Sequence, residues 1–423
     1  MIRIDPERLL ADFEQLATIG RTPEGGVCRP TFSDTHLRAR AWFLERAALA
    51  GLETRVDAAG NHSAVLRAAT PGAPTLLLGS HLDTVPTGGR YDGALGVVAA
   101  LEALRAVRTA GVELPVSLEA IDFTDEEGSI VGLLGSRALA GELTAETLRA
   151  PRGGRPALLA GLERAGLDEQ TLGEAARDPG TLAGYLELHI EQGPVLEREQ
   201  VEIGVVTGIA GSRSFRLVFA GAAGHAGTTP MEGRRDAGLG AARFLAEVHD
   251  TVVRDFPVCV ATVGALELEP GAFNVIPGRA RLALEFRSTD AAQLDALEAA
   301  LLARARHVAH AGELELVVEP VGRWEPARLD PAVLAAIGRA AQRLGLRRME
   351  LSSGAGHDAQ ALAGITRSGM IFVPSVGGVS HDPAEHTSWP DCVNGANVLL
   401  AACLDLAEVV ALRGPGRAPR RAP

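Results

Sequence analysis

A chain of 423 residues has room for two or three domains with sizeable cores, and 46% hydrophobic against 22% charged residues excludes a disordered chain, a collagen-like polymer and a coiled coil. Lys and Arg total 41 against 53 Asp and Glu, and the resulting charge of −12 repels phosphate backbones and anionic membranes, which argues against a nucleic-acid partner.

In chain order, the N-terminal MIRIDPERLLADFEQL carries acids where a secretory signal needs an apolar core. No uninterrupted apolar run reaches the ~20 residues of a membrane-spanning helix. Apolar residues recur at helical spacing over 6–20 and 36–52, with Gly51 as a stop for the second. Short continuous apolar runs follow at 75–79 and 116–123, then at 185–190 and 370–373. Such runs fit strands buried on both faces of a parallel sheet. Ala- and Leu-rich stretches at 95–110 and 136–140 read as crossover helices, and a polar segment covers about 142–182.

Near residue 212 the pattern changes. Residues 214–220 (SFRLVFA) alternate like a half-buried strand, followed by a Gly-rich turn and an Ala-rich helix over about 234–254. Strands at 258–268 and 280–286, a helix across 290–311 and a strand at 313–319 complete a strand-helix-strand-strand-helix-strand unit with an antiparallel sheet. From about Trp324 the helix-and-buried-strand style returns. The predicted architecture is an α/β domain with a mostly parallel sheet (1–211 and 323–413), interrupted by a smaller α+β domain (212–322). The terminal GPGRAPRRAP (414–423) reads as a disordered, solvated tail. Cys28, Cys259, Cys392 and Cys403 are scattered without a C-x-x-C pair, as expected of a reduced, cytoplasmic protein.

Four of the buried runs end on side chains that bind metals or move protons. TLLLGS leads into His81, Asp83 and Asp92; VSLEAIDFT into Asp125, Glu126 and Glu127; YLEL into His189, Glu191 and Gln192; MIFVPSVGGVS into His381. Ligand sites of open α/β sheets lie beyond the carboxyl ends of strands, so groups at four such ends converge without unusual geometry. Each residue alone has a plainer reading: a solvated histidine, a helix-start glutamate, a turn aspartate. The joint occurrence is what carries weight. Oxygen and imidazole donors without thiolate suit Zn²⁺, Mn²⁺, Co²⁺ or Ni²⁺, and with one bridging carboxylate five protein ligands serve two ions and leave positions open to water. His307 and His310 lie on a helix without strand-end context and read as solvated, and Trp324 and Trp389 as packing residues. The Gly-rich stretches 88–96 and 220–227 lack a phosphate-loop lysine or G-x-G-x-x-G spacing, which argues against a nucleotide site.

The strings GSHLDTVPTGGRYDGALGV, FTDEEG, ELHIEQGPVLE, GHAGTTPM-x-x-RRDA, N-x-IPG, SGAGHDA and SHDPAEHT occur in order from about residue 20 to 405. Together they resemble the amidase/hydantoinase/carbamoylase branch of the M20 metallopeptidase family, which includes N-carbamoyl-L-amino-acid hydrolases and allantoate amidohydrolases. Many members carry an Arg-Phe pair after the two glutamates, where this chain has Ile130–Val131, a change that bears on the pocket wall and not on the ligands.

The resemblance implies two divalent ions per subunit. His81 and Asp92 are ligands with Asp92 bridging, Glu127 and His381 bind one ion further, and His189 binds the other. His381 is preferred to His386 because the last ligand precedes x-Pro-x-Glu, here Asp382-Pro383-Ala384-Glu385. Asp83 orients His81 through its remaining ring nitrogen, and Glu126 is the general base. His225, in the turn AGAAGHAGTTP, donates to the oxyanion and reaches the active site of the other subunit, which makes the inserted domain a dimerisation lid and the protein a homodimer. Asn274 and Arg287 hold the substrate carboxylate, and Gln192 and the backbone around Gly356 complete the substrate contacts. The implied reaction is hydrolysis of an N-carbamoyl-L-amino acid to the amino acid, carbon dioxide and ammonia. Coordination lowers the pKa of water toward about 7, so that hydroxide attacks the unreactive ureido carbonyl. Allantoate also offers a ureido carbonyl beside a carboxylate and is the alternative. A peptidase, an N-acyl-amino-acid deacylase and a metal-binding relative without turnover stand behind these two.

Overall fold

A computed structural model describes residues 2–413, so the tail at 414–423 lies outside the described residues. The chain divides into two compact units, one built from residues up to Thr207 and from Arg328 onward, the other from Gly208–Ala327.

Helix α1 (Pro6–Thr18) starts at Asp5, whose carboxylate accepts from the Glu7 and Arg8 N–H groups. Helix α2 (Asp34–Leu49) starts at Ser33 in the same manner. Strands β1 (Glu53–Val56) and β2 (His62–Leu66) pair antiparallel, and a parallel crossover follows through β3 (Thr75–His81), α3 (Ala94–Thr109) and β4 (Ser117–Phe123). Helix α3 is apolar nearly all round and buried from Ala94 to Val107, as such a helix must be. Its one acid, Glu102, is gripped by Arg8 at 2.7 Å through both oxygens.

Helices α4 (Leu134–Leu139), α5 (Ala145–Arg149) and α6 (Arg155–Ala165) come next, the last two inside the segment that reads as polar. There α6 buries Leu158 and Leu162 in a small core shared with Phe32, Ile130 and Val131, with Ala165 packed at its margin, too few apolar positions for a periodic signal. Strand β5 (Leu182–Ile190), α7 (Val195–Glu199) and β6 (Ile203–Ile209) lead to the second unit.

The second unit runs through β7 (Gly211–Ala220), β8 (Gly224–His225), α8 (Ala237–Asp255), β9 (Val260–Glu269), β10 (Val275–Ile276), β11 (Arg279–Ser288), α9 (Ala291–Ala311) and β12 (Glu315–Trp324). Its four-stranded antiparallel sheet has the order β12-β7-β11-β9. Alternate residues of β7 and β11 (Phe215, Leu217, Phe219; Ala280, Leu282, Leu284, Phe286) bury one face under α8 and α9.

The chain returns through β13 (Ala327–Arg328), α10 (Pro331–Arg343), β14 (Arg348–Ser353), α11 (Asp358–Leu362), β15 (Ser368–Val373) and α12 (Trp389–Arg413). The first unit's sheet has nine strands with the order β1-β2-β4-β3-β5-β15-β6-β13, and β14 also pairs with β6. Its centre, β4-β3-β5-β15, is parallel, with antiparallel strands on the flanks. Every residue of β4 and β15 is buried, which is why those strands read as continuous apolar runs. The stretch Trp389–Val409 of α12 is long and apolar enough to cross a membrane, but 67% of its apolar window is buried within the protein, and it contributes Cys392, Ala396, Val398 and Leu399 to the main core.

Candidate metal centre

Strand β4 lies on one side of β3 and β5 on the other, so the connections diverge at the carboxyl end of β3. That is where an open α/β sheet leaves a crevice. His81 is the last residue of β3, His189 lies at the end of β5, Glu126 and Glu127 follow β4, and His381 follows β15. The loops that aim these groups need unusual backbone. Asp125, Gln192 and His381 have φ of 58°, 57° and 55°, which is rare outside glycine and concentrates at functional sites. At Asp125 the carboxylate offsets that cost by accepting from the N–H groups of Ile130 (3.0 Å), Val131 (2.5 Å) and Gly132 (2.8 Å). Gly93, with φ 62°, follows Asp92 and opens α3; a Cβ there would overlap the His81 ring.

Asp92 is the hub. Its Oδ1 lies 3.1 Å from His189 Nε2 and 3.5 Å from His81 Nε2, and its Oδ2 lies 3.5 Å from His381 Nε2. His381 Nε2 is 3.4 Å from Glu127 Oε2, and His81 Nε2 is 3.5 Å from Glu126 Oε2. Two triads result, His81–Asp92–His189 and Asp92–Glu127–His381, sharing one carboxylate. His81, Asp92 and His189 are buried, whereas His381 is about half exposed.

Hydrogen bonding tests whether these residues fit a cation. His189 Nδ1 lies 2.8 Å from the Ile190 carbonyl and His81 Nδ1 3.0 Å from the Asp83 carbonyl. A carbonyl only accepts, so both Nδ1 atoms carry hydrogen and a neutral ring turns the lone pair of Nε2 toward Asp92. Both Nε2 atoms are buried without a hydrogen-bond partner. The 3.1–3.5 Å spacing calls for positive charge at Nε2, met by a proton, which Glu126 and Asp92 favour by raising His81 and His189 against their burial, or by a bound cation in its place. Two donors each about 2.05 Å from a tetrahedral ion stand about 3.3 Å apart, so the spacing suits one.

The acids carry the same message. Burial pushes Glu127 up to about 7, helped by repulsion from Asp92. Burial also drives Glu126 well above the usual carboxylate range, with Glu127, Asp358 and Asp92 adding to it against the attraction of His81. Asp92 differs: burial would raise it, but His189, His381 and His81 together hold it well below. Its hydrogen bond raises His381 to about 9 despite partial burial.

Asp83 meets the remaining ring nitrogen of His81 through its backbone. Its carboxylate stands 3.9 Å from His81 Nδ1, and the closer contact is its own backbone carbonyl. The carboxylate instead accepts from Thr31 Oγ1 (3.0 Å) and from the N–H groups of Glu126 (3.3 Å) and Glu127 (3.2 Å), so it anchors the turn that carries both glutamates. Gln192 Nε2 donates to Asp92 Oδ2 at 2.7 Å, while Gln192 Oε1 is buried and without a partner. Gly356 is exposed and sits beside His357, a buried histidine whose ring lies 4.5 Å from that of His189. His386 contacts Tyr91 Oη at 3.2 Å and belongs to neither triad.

His225, Asn274 and Arg287 belong to the second unit. His225 is exposed on the ribbon β8–β10, next to Asn274, whose carbonyl accepts from Ala226 N–H at 2.9 Å. Its Nδ1 accepts from the N–H groups of Gly227 (3.0 Å) and Thr228 (3.2 Å), so hydrogen resides on Nε2. Arg287 is held by Glu285 through Nε at 2.9 Å and Nη2 at 2.7 Å, the surface ion pair that a strand arginine commonly makes.

Residues that sequence reading did not single out hold the site from behind. Arg40 is buried and binds Asp122 (2.9 Å) and the carbonyls of Gly60 and Phe123, and Asp122 in turn accepts from Leu82 N–H at 2.7 Å. Thr31 bridges Asp83 and Asp125. No local pattern marks these positions, because their partners lie 20 to 94 positions away.

Residues 77–405 match the model of peptidase family M20/M25/M40. The chain is 40% identical over 407 residues to an N-carbamoyl-L-amino acid amidohydrolase of Geobacillus stearothermophilus, covering 96% of this chain and 99% of that protein. It is 33% identical over 381 residues to an allantoate amidohydrolase of Bacillus subtilis, covering 89% and 91%. A crystal structure of an amidase of the hydantoinase/carbamoylase family from Burkholderia multivorans superposes with a TM-score of 0.87 at 37% identity, covering 96% of this chain and 98% of that one.

Proposed function

This chain belongs to peptidase family M20/M25/M40, and from that membership we propose that it is a metal-dependent amidohydrolase that cleaves the ureido C–N bond of N-carbamoyl-L-amino acids. The observation that carries the reading is the pair of triads sharing Asp92. His81, Asp92 and His189 would hold one divalent ion, and Asp92, Glu127 and His381 a second. The donor set suits Zn²⁺, Mn²⁺, Co²⁺ or Ni²⁺. When bound, such ions supply Lewis acidity that acidifies water and polarises the carbonyl.

This chain's residues do the rest. Glu126, buried beside His81, takes the proton of the attacking water and returns it to the leaving nitrogen. Gln192, its amide oriented by Asp92, offers the unpartnered Oε1 to an N–H of the ureido group. His225 donates from Nε2 to the oxyanion, a role its tautomer suits. Arg287 clamps the substrate carboxylate, exchanging Glu285 for it, with Asn274 and the backbone at Gly356 as further contacts.

The protein acts as a homodimer in which the inserted unit is the lid. Strand β9 ends that unit's sheet with an open edge and exposes Val260, Leu266 and Leu268, and a second copy of the same strand satisfies both features. Four unpaired cysteines suit a reducing cytoplasm.

Likeness to an allantoate amidohydrolase supports allantoate as the second reading, since it also joins a ureido group to a carboxylate. Turnover of the metal-loaded protein with N-carbamoyl-L-amino acids, allantoate and small dipeptides separates these readings. Hydrolysis of dipeptides alone would overturn both, and sedimentation as a monomer would overturn the dimer.

A further inference from the structure

We propose that Glu385 is a positioning residue for the shared carboxylate Asp92, tying the loop that carries Asp92 to the segment that carries His381. The proposal rests on the reading of Asp92 and His381 as metal ligands. Glu385 lies four residues after His381 and is 3% exposed. No arginine or lysine pairs with it among the described residues. Instead its Oε1 accepts from two successive backbone N–H groups, those of Tyr91 (2.9 Å) and Asp92 (3.0 Å), at the entry to α3. Charge-assisted bonds of this kind are the strong ones, and the positive end of α3 favours an anion there.

The other oxygen extends the grip from backbone to side chain. Glu385 Oε2 and Asp92 Oδ2 each lie 3.0 Å from the Ser380 hydroxyl, which stands between them. A second tie runs in parallel, from Tyr91 Oη to His386 Nδ1 at 3.2 Å. Gly89 completes the cradle, because a Cβ at that position would overlap the Glu385 carboxylate.

Two segments almost 300 positions apart are thereby held in one register. A metal ligand displaced by about half an ångström is a poor ligand, so the outer carboxylate governs how well both triads hold an ion. Loss of such outer partners typically costs about 10–100-fold in metal affinity.

The test measures Zn²⁺ affinity of the full-length protein by competition with a chromophoric chelator, alongside the melting temperature of the metal-free protein. Glu385→Ala is expected to weaken Zn²⁺ about 10–100-fold. Gly89→Ala, which expels an intact Glu385, is expected to do the same. Glu385→Gln keeps an oxygen for the two N–H groups and is expected to recover most of the affinity. Should Glu385→Ala fail to fold, Gly89→Ala and the milder Ser380→Ala carry the comparison. Lower melting temperatures with Zn²⁺ titrations that overlay the wild type would make Glu385 merely structural and overturn the assignment. Wild-type protein that takes up no Zn²⁺ would instead overturn the metal reading, and this proposal with it.

Discussion

The metal centre and the inserted unit hold their functional residues in opposite ways. In the first unit, His81, Asp92 and His189 are buried, and each is fixed by a carbonyl, a backbone N–H or a neighbouring carboxylate. In the second unit, His225 and Asn274 are exposed and Arg287 is partly so, and contacts that steady them include local ones: a ribbon of two short strands, two N–H groups on an imidazole, and Glu285 beside Arg287. The contrast separates two tasks. The groups proposed to share a cation are held by neighbours on several elements, all but the half-exposed His381 with little access to water, at the expense of crowding like charges. Groups that meet a substrate must be reachable, so they are held by the turn they sit in and not by the core.

Glu126→Gln probes the buried side most severely. Under the proposed role of Glu126 as proton carrier outside both triads, turnover is expected to fall by about 10²–10⁴ while metal content measured by elemental analysis stays at the wild-type level. Parallel loss of metal would move Glu126 into the ligand set. On the exposed side, His225→Ala is expected to lower kcat by about 10²–10³ with an unchanged melting temperature, since the ring packs in no core. A drop in stability as large as the drop in rate would erase the contrast. Arg287→Ala sharpens it: KM for carboxylate substrates is expected to rise about 10–100-fold, the worth of a charge-assisted pair, with little change in kcat. Steady-state kinetics equal to wild type would leave Arg287 as the ion pair with Glu285 and nothing more.

The smallest effect is a pH dependence of the metal-free protein. Burial pushes Glu127 up to about 7 in the folded chain against 4.5 for a free glutamate, so between these values the folded chain holds more protons than the unfolded one. Stability therefore falls as pH rises through that window, at about 1 kcal/mol per pH unit. His381, raised to about 9, acts in the same direction at higher pH. Melting curves after chelation, from pH 4.5 to 9, should decline, and Glu127→Gln should flatten the lower part. A rise across that range would refute the crowded-acid picture.

Much of this was legible before any coordinates. The central strands are buried on both faces, and a doubly buried strand cannot hide its apolar run, so β3, β4, β5 and β15 and the donors at their ends stood out. The alternation of β7 and β11 showed a one-sided sheet for the same reason. Less legible were β1 and β2, short strands at the sheet's edge, and α6, whose buried face amounts to two leucines and a glycine. Asp83 meets the His81 ring with its carbonyl, and its side chain has a second task that local reading did not show. Two residues from His81, it suggests a partner for that ring, yet its carboxylate turns to the glutamates more than 40 positions on.

The sequence by itself determined the supply of donors, their harder oxygen and nitrogen character, and the strand ends from which they project, because burial periodicity and residue chemistry are local properties. Only the tertiary structure decided that Asp92 stands between three imidazoles, that Thr31 and Asp83 hold the glutamate turn, and that Glu385 grips the entry to α3. Those relations depend on distances of about 3 Å between residues tens to hundreds of positions apart, and such distances come into being only when the sheet assembles.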